Sequence, residues 1–153
     1  MHITELLADL ELNDLVLEAT PLVMWDLGVI DNMDDIAQFL WRGGPRPPQA
    51  SARPHKDTIA LIVDERPDKK YWQMVKEELT AFLCSNDKKY KELWSRINAL
   101  ESKGTSSIVL LVSGYLGEKF GLQASLLAGF VAVFFYGVLK ISKEAYCRLA
   151  FSQ

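Results

Sequence analysis

The feature that most constrains this chain is an eighteen-residue stretch, Leu122 to Leu139, that carries no charge and only Gln123 and Ser125 as clearly polar residues. A helix apolar on all sides must be buried, either in protein or in lipid. Everything else is read against that choice.

As a single membrane span, with Lys140, Lys143 and Arg148 held inside, the stretch would send the 120-residue N-terminal part outside without a signal peptide. The N-terminus, Met-His-Ile-Thr-Glu-Leu-Leu, has neither a basic region nor an unbroken apolar one. A two-span hairpin fares no better. Ile108 to Gly117 offers only ten residues, and Glu118-Lys119 would sit at the turn. The expectation is therefore the central helix of a bundle, with a membrane-inserted helix at 122–139 as the alternative.

Small residues mark how that helix is to be packed. Ser113, Gly117 and Gly121 recur at helical spacing, followed by Ala124, Ala128 and Ala132, and such stripes let two backbones approach closely. Gly117, Gly121, Ala124 and Ala128 are the candidate helix-packing positions. Upstream, Trp72, Val75, Leu79, Phe82 and Leu83 form one apolar stripe, and Tyr90, Leu93, Trp94, Ile97 and Leu100 repeat it after Asn86-Asp87. The spacing predicts a helical hairpin over 68–101. Two apolar helices follow over 105–150, the first capped by Ser106 or Ser107 and the second running from about Leu122 to Leu149. The fold class is mainly α: a hairpin plus two apolar C-terminal helices forming a bundle, with an acidic N-terminal part whose structure is left open.

That N-terminal part, residues 1–42, contains a short helix built on Ile3, Leu6, Leu7 and Leu10, with Thr4 as its cap. A crowded segment, Leu12 to Ile30, fits neither helix nor strand period. Asp31-Asn32 then caps a helix with Ile36, Phe39 and Leu40 on one face. Residues 43–56 hold four prolines and no large apolar side chain, which predicts an extended linker, with 57–153 as the helical bundle. Thr58 to Val63 is open between strand and helix.

Charge is unevenly spread. Residues 1–41 carry nine acids and no Lys or Arg, a balance of −9, while the remainder is about +6. Either the two parts dock on each other or an acidic surface is offered to a basic partner. Asp26, Asp31, Asp34 and Asp35 are the candidate binding acids. Arg42 and Arg46 join them because Arg42-Gly-Gly-Pro45-Arg-Pro-Pro48 has the spacing by which extended proline segments dock aromatic grooves. Nucleic acid is a poor fit: no aromatic interleaves those bases and the chain is acidic overall.

Chemistry finds little support. His2 and His55 are the only histidines, one terminal and one in the proline-rich segment. No phosphate loop, nucleophile elbow, dinucleotide fingerprint or zinc-ligand spacing is present. Ile59 to Glu65 looks like the apolar run ending in Asp-Glu that nucleotide hydrolases use, but with no phosphate loop upstream it reads as a buried element reaching the surface. Cys84 and Cys147 stand alone in helical patterns, the usage of a reducing compartment. The expectation is a non-catalytic interaction or regulatory protein, such as an adaptor, inhibitor or immunity-like partner, that binds another protein or itself. No cofactor or metal is expected, and the location is cytoplasmic, or membrane if 122–139 inserts.

Overall fold

The computed structural model describes residues 3–42, 69–85, 88–100 and 104–151. The proline-rich segment 43–56, the apolar run 58–63, Asp64, Glu65, both histidines and Arg46 lie outside the described residues. Among those described there are nine α-helices and no strand: α1 (Ile3–Asp9), α2 (Leu12–Glu18), α3 (Val23–Asp26), α4 (Met33–Arg42), α5 (Lys69–Cys84), α6 (Lys91–Asn98), α7 (Thr105–Phe120), α8 (Ala124–Ile141) and α9 (Lys143–Phe151). The fold is mainly α, a bundle, as the periodicities predict.

The core is organised around α8. Every residue from Phe130 to Val138 is buried, so this helix has no solvent face over more than two turns. It is covered by α2, α4, α5, α7 and α9. Its aromatic side chains meet one ring from each of four neighbours. Phe130 lies 5.8 Å from Trp72 of α5 and 6.5 Å from Trp41 of α4, Tyr136 5.4 Å from Trp25 of α3, and Phe134 5.4 Å from Tyr146 of α9. At about 1.5–3 kcal/mol for each large apolar side chain withdrawn from water, this helix is the largest concentration of hydrophobic stabilisation among the described residues.

The acidic N-terminal helices share that core, contributing Leu6, Leu15, Leu22 and Ile36, each 0% exposed. The segment Leu12 to Ile30, ambiguous in sequence, is broken helix: α2, then a 3-10 turn at Thr20–Leu22, then α3. Pro21 explains the break, since it cannot donate a backbone hydrogen bond and falls in the first turn of the short 3-10 piece. Helix α1 begins at Ile3, which places Thr4 inside it and not before it.

Three further expectations are corrected. Helix α7 starts at Thr105 after Gly104, with no side-chain cap, so Ser106 and Ser107 lie within it. Instead Thr105 Oγ1 accepts a 2.9 Å hydrogen bond from the Glu11 backbone N–H, and Ser106 Oγ donates to Glu18 at 2.7 Å, tying α7 to the N-terminal helices. The last helix does not run unbroken to Leu149. Ser142, at φ 98°, separates α8 from α9, and its Oγ then caps α9 by accepting from the Ala145 N–H at 3.3 Å. Finally, Cys84 and Cys147 are not isolated: they form a disulfide between the end of α5 and α9, with Cα atoms 5.6 Å apart. The turn at Ser142 is what makes this possible, because it folds α9 back onto α5. There Tyr146 and Thr80 share a 2.6 Å hydrogen bond.

The hairpin of α5 and α6 closes through Phe82, whose ring lies 5.4 Å from Tyr90 and 4.9 Å from Trp94, while the short α6 rests on α7. Glu78 clasps this corner, accepting from the Tyr90 hydroxyl at 2.8 Å and from the Lys119 ammonium. Burial alone would raise the Glu78 pKa. Its hydrogen bonds to Lys119 and Tyr90 and the charges of Lys119 and Lys89 outweigh that and hold it below the ordinary carboxylate value.

Two glycines of α7 separate packing from helix propensity. A Cβ on Gly117 would stand 2.5 Å from the Leu122 carbonyl oxygen, which is backbone, whereas one on Gly114 meets nothing within 4 Å. Gly114→Ala should stabilise by up to about 1 kcal/mol through propensity alone, and Gly117→Ala should destabilise by about 1–3 kcal/mol despite the same gain. Urea denaturation of both variants checks this, and equal effects would remove the close approach of α7 to the α7–α8 turn. The disulfide closes a separation of 63 residues. Its removal in a Cys84→Ser, Cys147→Ser double variant should cost about 4 kcal/mol on the chain-entropy scale, read as a lower denaturation midpoint than the disulfide-bonded protein.

Candidate interaction surface

Among the described residues no group of three or more His, Cys, Asp or Glu side chains could hold a metal ion. Both cysteines are consumed in the disulfide, so neither is available as a thiol nucleophile.

The candidate acids divide into two kinds. Asp34, in the first turn of α4, accepts from Trp72 Nε1 at 2.8 Å and pairs with Lys76 at 2.9 Å, so it docks α4 onto α5. Asp35 completes the start of the same helix: its N–H donates to Asn32 Oδ1, and its carboxylate accepts from Asn32 Nδ2, both at 2.8 Å. Asn32 is thus the cap that the sequence indicates. Asp26 and Asp31 remain exposed, on either side of the turn joining α3 to α4.

That turn brings out residues the sequence reading passed over. Gly28, at φ 78°, ends α3; its N–H donates to the Trp25 carbonyl at 2.9 Å, and the Val29 N–H donates to Met24 at 2.8 Å. These are the paired bonds of a Schellman closure, and they require a left-handed residue at Gly28. The closure turns the side chains on both sides of the glycine outward. Leu27 is 70% and Val29 62% exposed, with Val23 at 42%. A glycine between two apolar residues after a helical run is the sequence signal that marks them.

The C-terminal end of α8 lies at the same corner. The Trp25 ring lies tilted against Tyr136, the Lys140 ammonium sits 5.7 Å above the Tyr136 ring, and Gly137 leaves room for Met33, whose Cε would be 2.5 Å from a Cβ there. Lys140 is exposed and Ile141 is 38% exposed. The exposed apolar side chains of Leu27 and Val29 thus stand at a corner that also carries the carboxylates of Asp26 and Asp31 and the Lys140 ammonium. Tyr136 itself is buried, and its hydroxyl has no hydrogen-bond partner among the described residues. Burial, and secondarily the charge of Asp26, pushes its pKa above the ordinary tyrosine value.

The remaining candidates lie elsewhere. Arg42 is the last residue of α4, seven residues on from Asp35, or roughly 10 Å along the helix axis. Its side chain lies outside the described residues. Gly117, Gly121 and Ala124 gather at the α7–α8 turn, where Gly121 takes φ 72° and the Leu122 N–H donates to Gly117 at 2.9 Å. Ala128 is half-buried one turn further along α8, beside Gly129, which faces Leu40 of α4.

An unpaired buried hydroxyl costs stability that a phenyl ring does not. Tyr136→Phe should leave the protein as stable or up to about 2 kcal/mol more stable in urea denaturation. A clear loss would show that the hydroxyl does have a partner. Comparison with known proteins adds no name to this surface: no protein-family model, no curated protein and no solved structure matches the chain.

Proposed function

We propose that the protein is a non-catalytic interaction module that binds another protein through the corner formed by the α3–α4 turn and the end of α8. The reading is carried by one observation: Leu27 and Val29, large apolar side chains, are 70% and 62% exposed beside the exposed carboxylates of Asp26 and Asp31. Apolar side chains supply the contact area of an interface, and a charged rim steers the encounter and fixes orientation. The fitting partner face is apolar at its centre and basic at its edge. The acidic surplus of residues 1–41 works at long range in the same direction, and it fades as salt shortens the Debye length.

Membrane insertion is the second reading, kept because α8 is the one helix among the described residues long and apolar enough to cross a bilayer. Insertion would strip α8 of α2, α4, α5, α7 and α9, and the apolar faces of all five would need new cover. The disulfide bears on location. Such a bond persists in oxidising surroundings, so the cytoplasmic expectation loses the cysteine argument that supported it.

A photo-crosslinking amino acid placed at position 27 or 29 should yield a discrete adduct in cells, and the same group at the exposed Glu92 of α6 should not. Absence of adducts at 27 and 29, or equal adducts at all three positions, would sink the interface. Protein released from membranes only by detergent would favour insertion instead.

A further inference from the structure

We propose that the Cys84–Cys147 disulfide is a redox latch: the bond holds α9 folded back on α5, and its reduction by a dithiol lets α9 swing off and continue α8 as one helix, uncovering Phe134. The inference does not depend on the partner at the α3–α4 turn.

Apart from the bond, α9 is thinly fastened. Among its described side chains only Tyr146 is buried; its ring meets Phe134 edge-on at 5.4 Å, and its hydroxyl shares the 2.6 Å hydrogen bond with Thr80. Glu144, Arg148, Leu149 and Ala150 are exposed. A helix of nine residues does not hold in water without packing or a tether. The turn that folds it back is strained. Ser142 is the one residue other than glycine with positive φ among the described residues, and at φ 98° and ψ 149° it stands in a backbone region that is essentially glycine's own. The relaxed alternative is written in the sequence: Leu139 to Leu149 contains neither glycine nor proline, so a helical Ser142 would join α8 to α9 without a break. The bond therefore holds a bent arrangement against a straight one. It is within reach of an attacking thiolate, since Cys84 and Cys147 are both only half-buried and Cys84 ends α5 beside the exposed Ser85. A thiolate of the dithiol attacks one cysteine sulfur, the Cys84–Cys147 bond breaks, and the displaced sulfur takes a proton; the second thiol of the reductant then closes a disulfide on the first and frees the other cysteine. The dithiol loses two electrons and two protons, and the protein gains two thiols.

The test is NMR spectroscopy of the full chain with and without dithiothreitol. In the oxidised protein, cross-relaxation should connect the Tyr146 and Phe134 rings, and the Ser142 carbon shifts should be non-helical. On reduction, and in a Cys84→Ser, Cys147→Ser double variant with no reductant at all, the ring contact should vanish and the Ser142 shifts should turn helical, while the contacts of Phe130 with Trp72 and of Tyr136 with Trp25 persist. Ser142→Gly relieves the strain and weakens the joined helix, so in the reduced protein it should raise the folded-back population by about tenfold, read from the averaged Tyr146 shifts. A reduced protein that keeps the Tyr146–Phe134 contact overturns the latch, and so does a bond that dithiothreitol leaves intact. Loss of the Phe130–Trp72 contact together with the other would mean that the bond holds the whole bundle and not α9, which also overturns it. A released α9 with Ser142 still non-helical overturns the joined helix, and an unchanged population in Ser142→Gly overturns the part assigned to strain.

Discussion

The structure depends on the complete burial of one helix. From Phe130 to Val138 α8 offers no polar side chain except the Tyr136 hydroxyl, so its stability in water is set by how well other elements cover it on every side. Few single helices can do this. The cover comes from helices on both sides of the proline-rich segment: the short α2, α4 and α9 and the sixteen-residue α5 and α7. The N-terminal helices are short for isolated helices, α1 and α2 having seven residues each, and helices of that length hold only through such packing.

Polar contacts in this bundle do a different job: they set which piece of the shell goes where. Asp34 with Trp72 and Lys76 places α4 on α5; Thr105 and Ser106 place α2 and the loop before it on α7; Glu78 gathers α5, the Tyr90 turn and the end of α7. Each adds little by itself, since most of these groups face solvent and would be hydrated if free. Together they distinguish otherwise similar apolar stripes. The lopsided charge of the sequence is partly explained by this, because Asp34 and Glu18 are spent on internal docking. Asp26 and Asp31 are not.

Much of the architecture was legible in the amino-acid sequence because α5 and α6 carry apolar stripes at the 3.6-residue period, while α7 and the first part of α8 are long apolar runs with Gly121 between them. The Asn32 cap and the Gly121 stop were equally plain, being local chemistry. What escaped was decided by tertiary contact. Leu12 to Ile30 has too little period to announce itself; α2 is held by packing on α7 and α8, and α3 by the Thr20–Leu22 turn and the contact of Trp25 with Tyr136. The break at Ser142 is a cap signal inside a run that otherwise continues as a helix, and nothing local fixes that the chain turns back there. The Cys84–Cys147 bond follows from that turn, so a reading that kept the last helix straight had to leave both cysteines alone. Of the candidate surface, Asp26 and Asp31 were visible as charge. Leu27 and Val29 were not, because an apolar residue in an unassigned segment reads first as core.

The pairing of Cys84 with Cys147 also has a temporal side. On a growing chain Cys84 leaves the ribosome 63 residues ahead of its partner, and all of α7 and α8 are made in between. Throughout that interval the sulfur at the end of α5 is a thiol open to any oxidant or to another chain's cysteine, and for the last part of it the most apolar of the described helices has been made without α9 to close over it. The same nascent stage that exposes the greasiest surface therefore also exposes the reactive one.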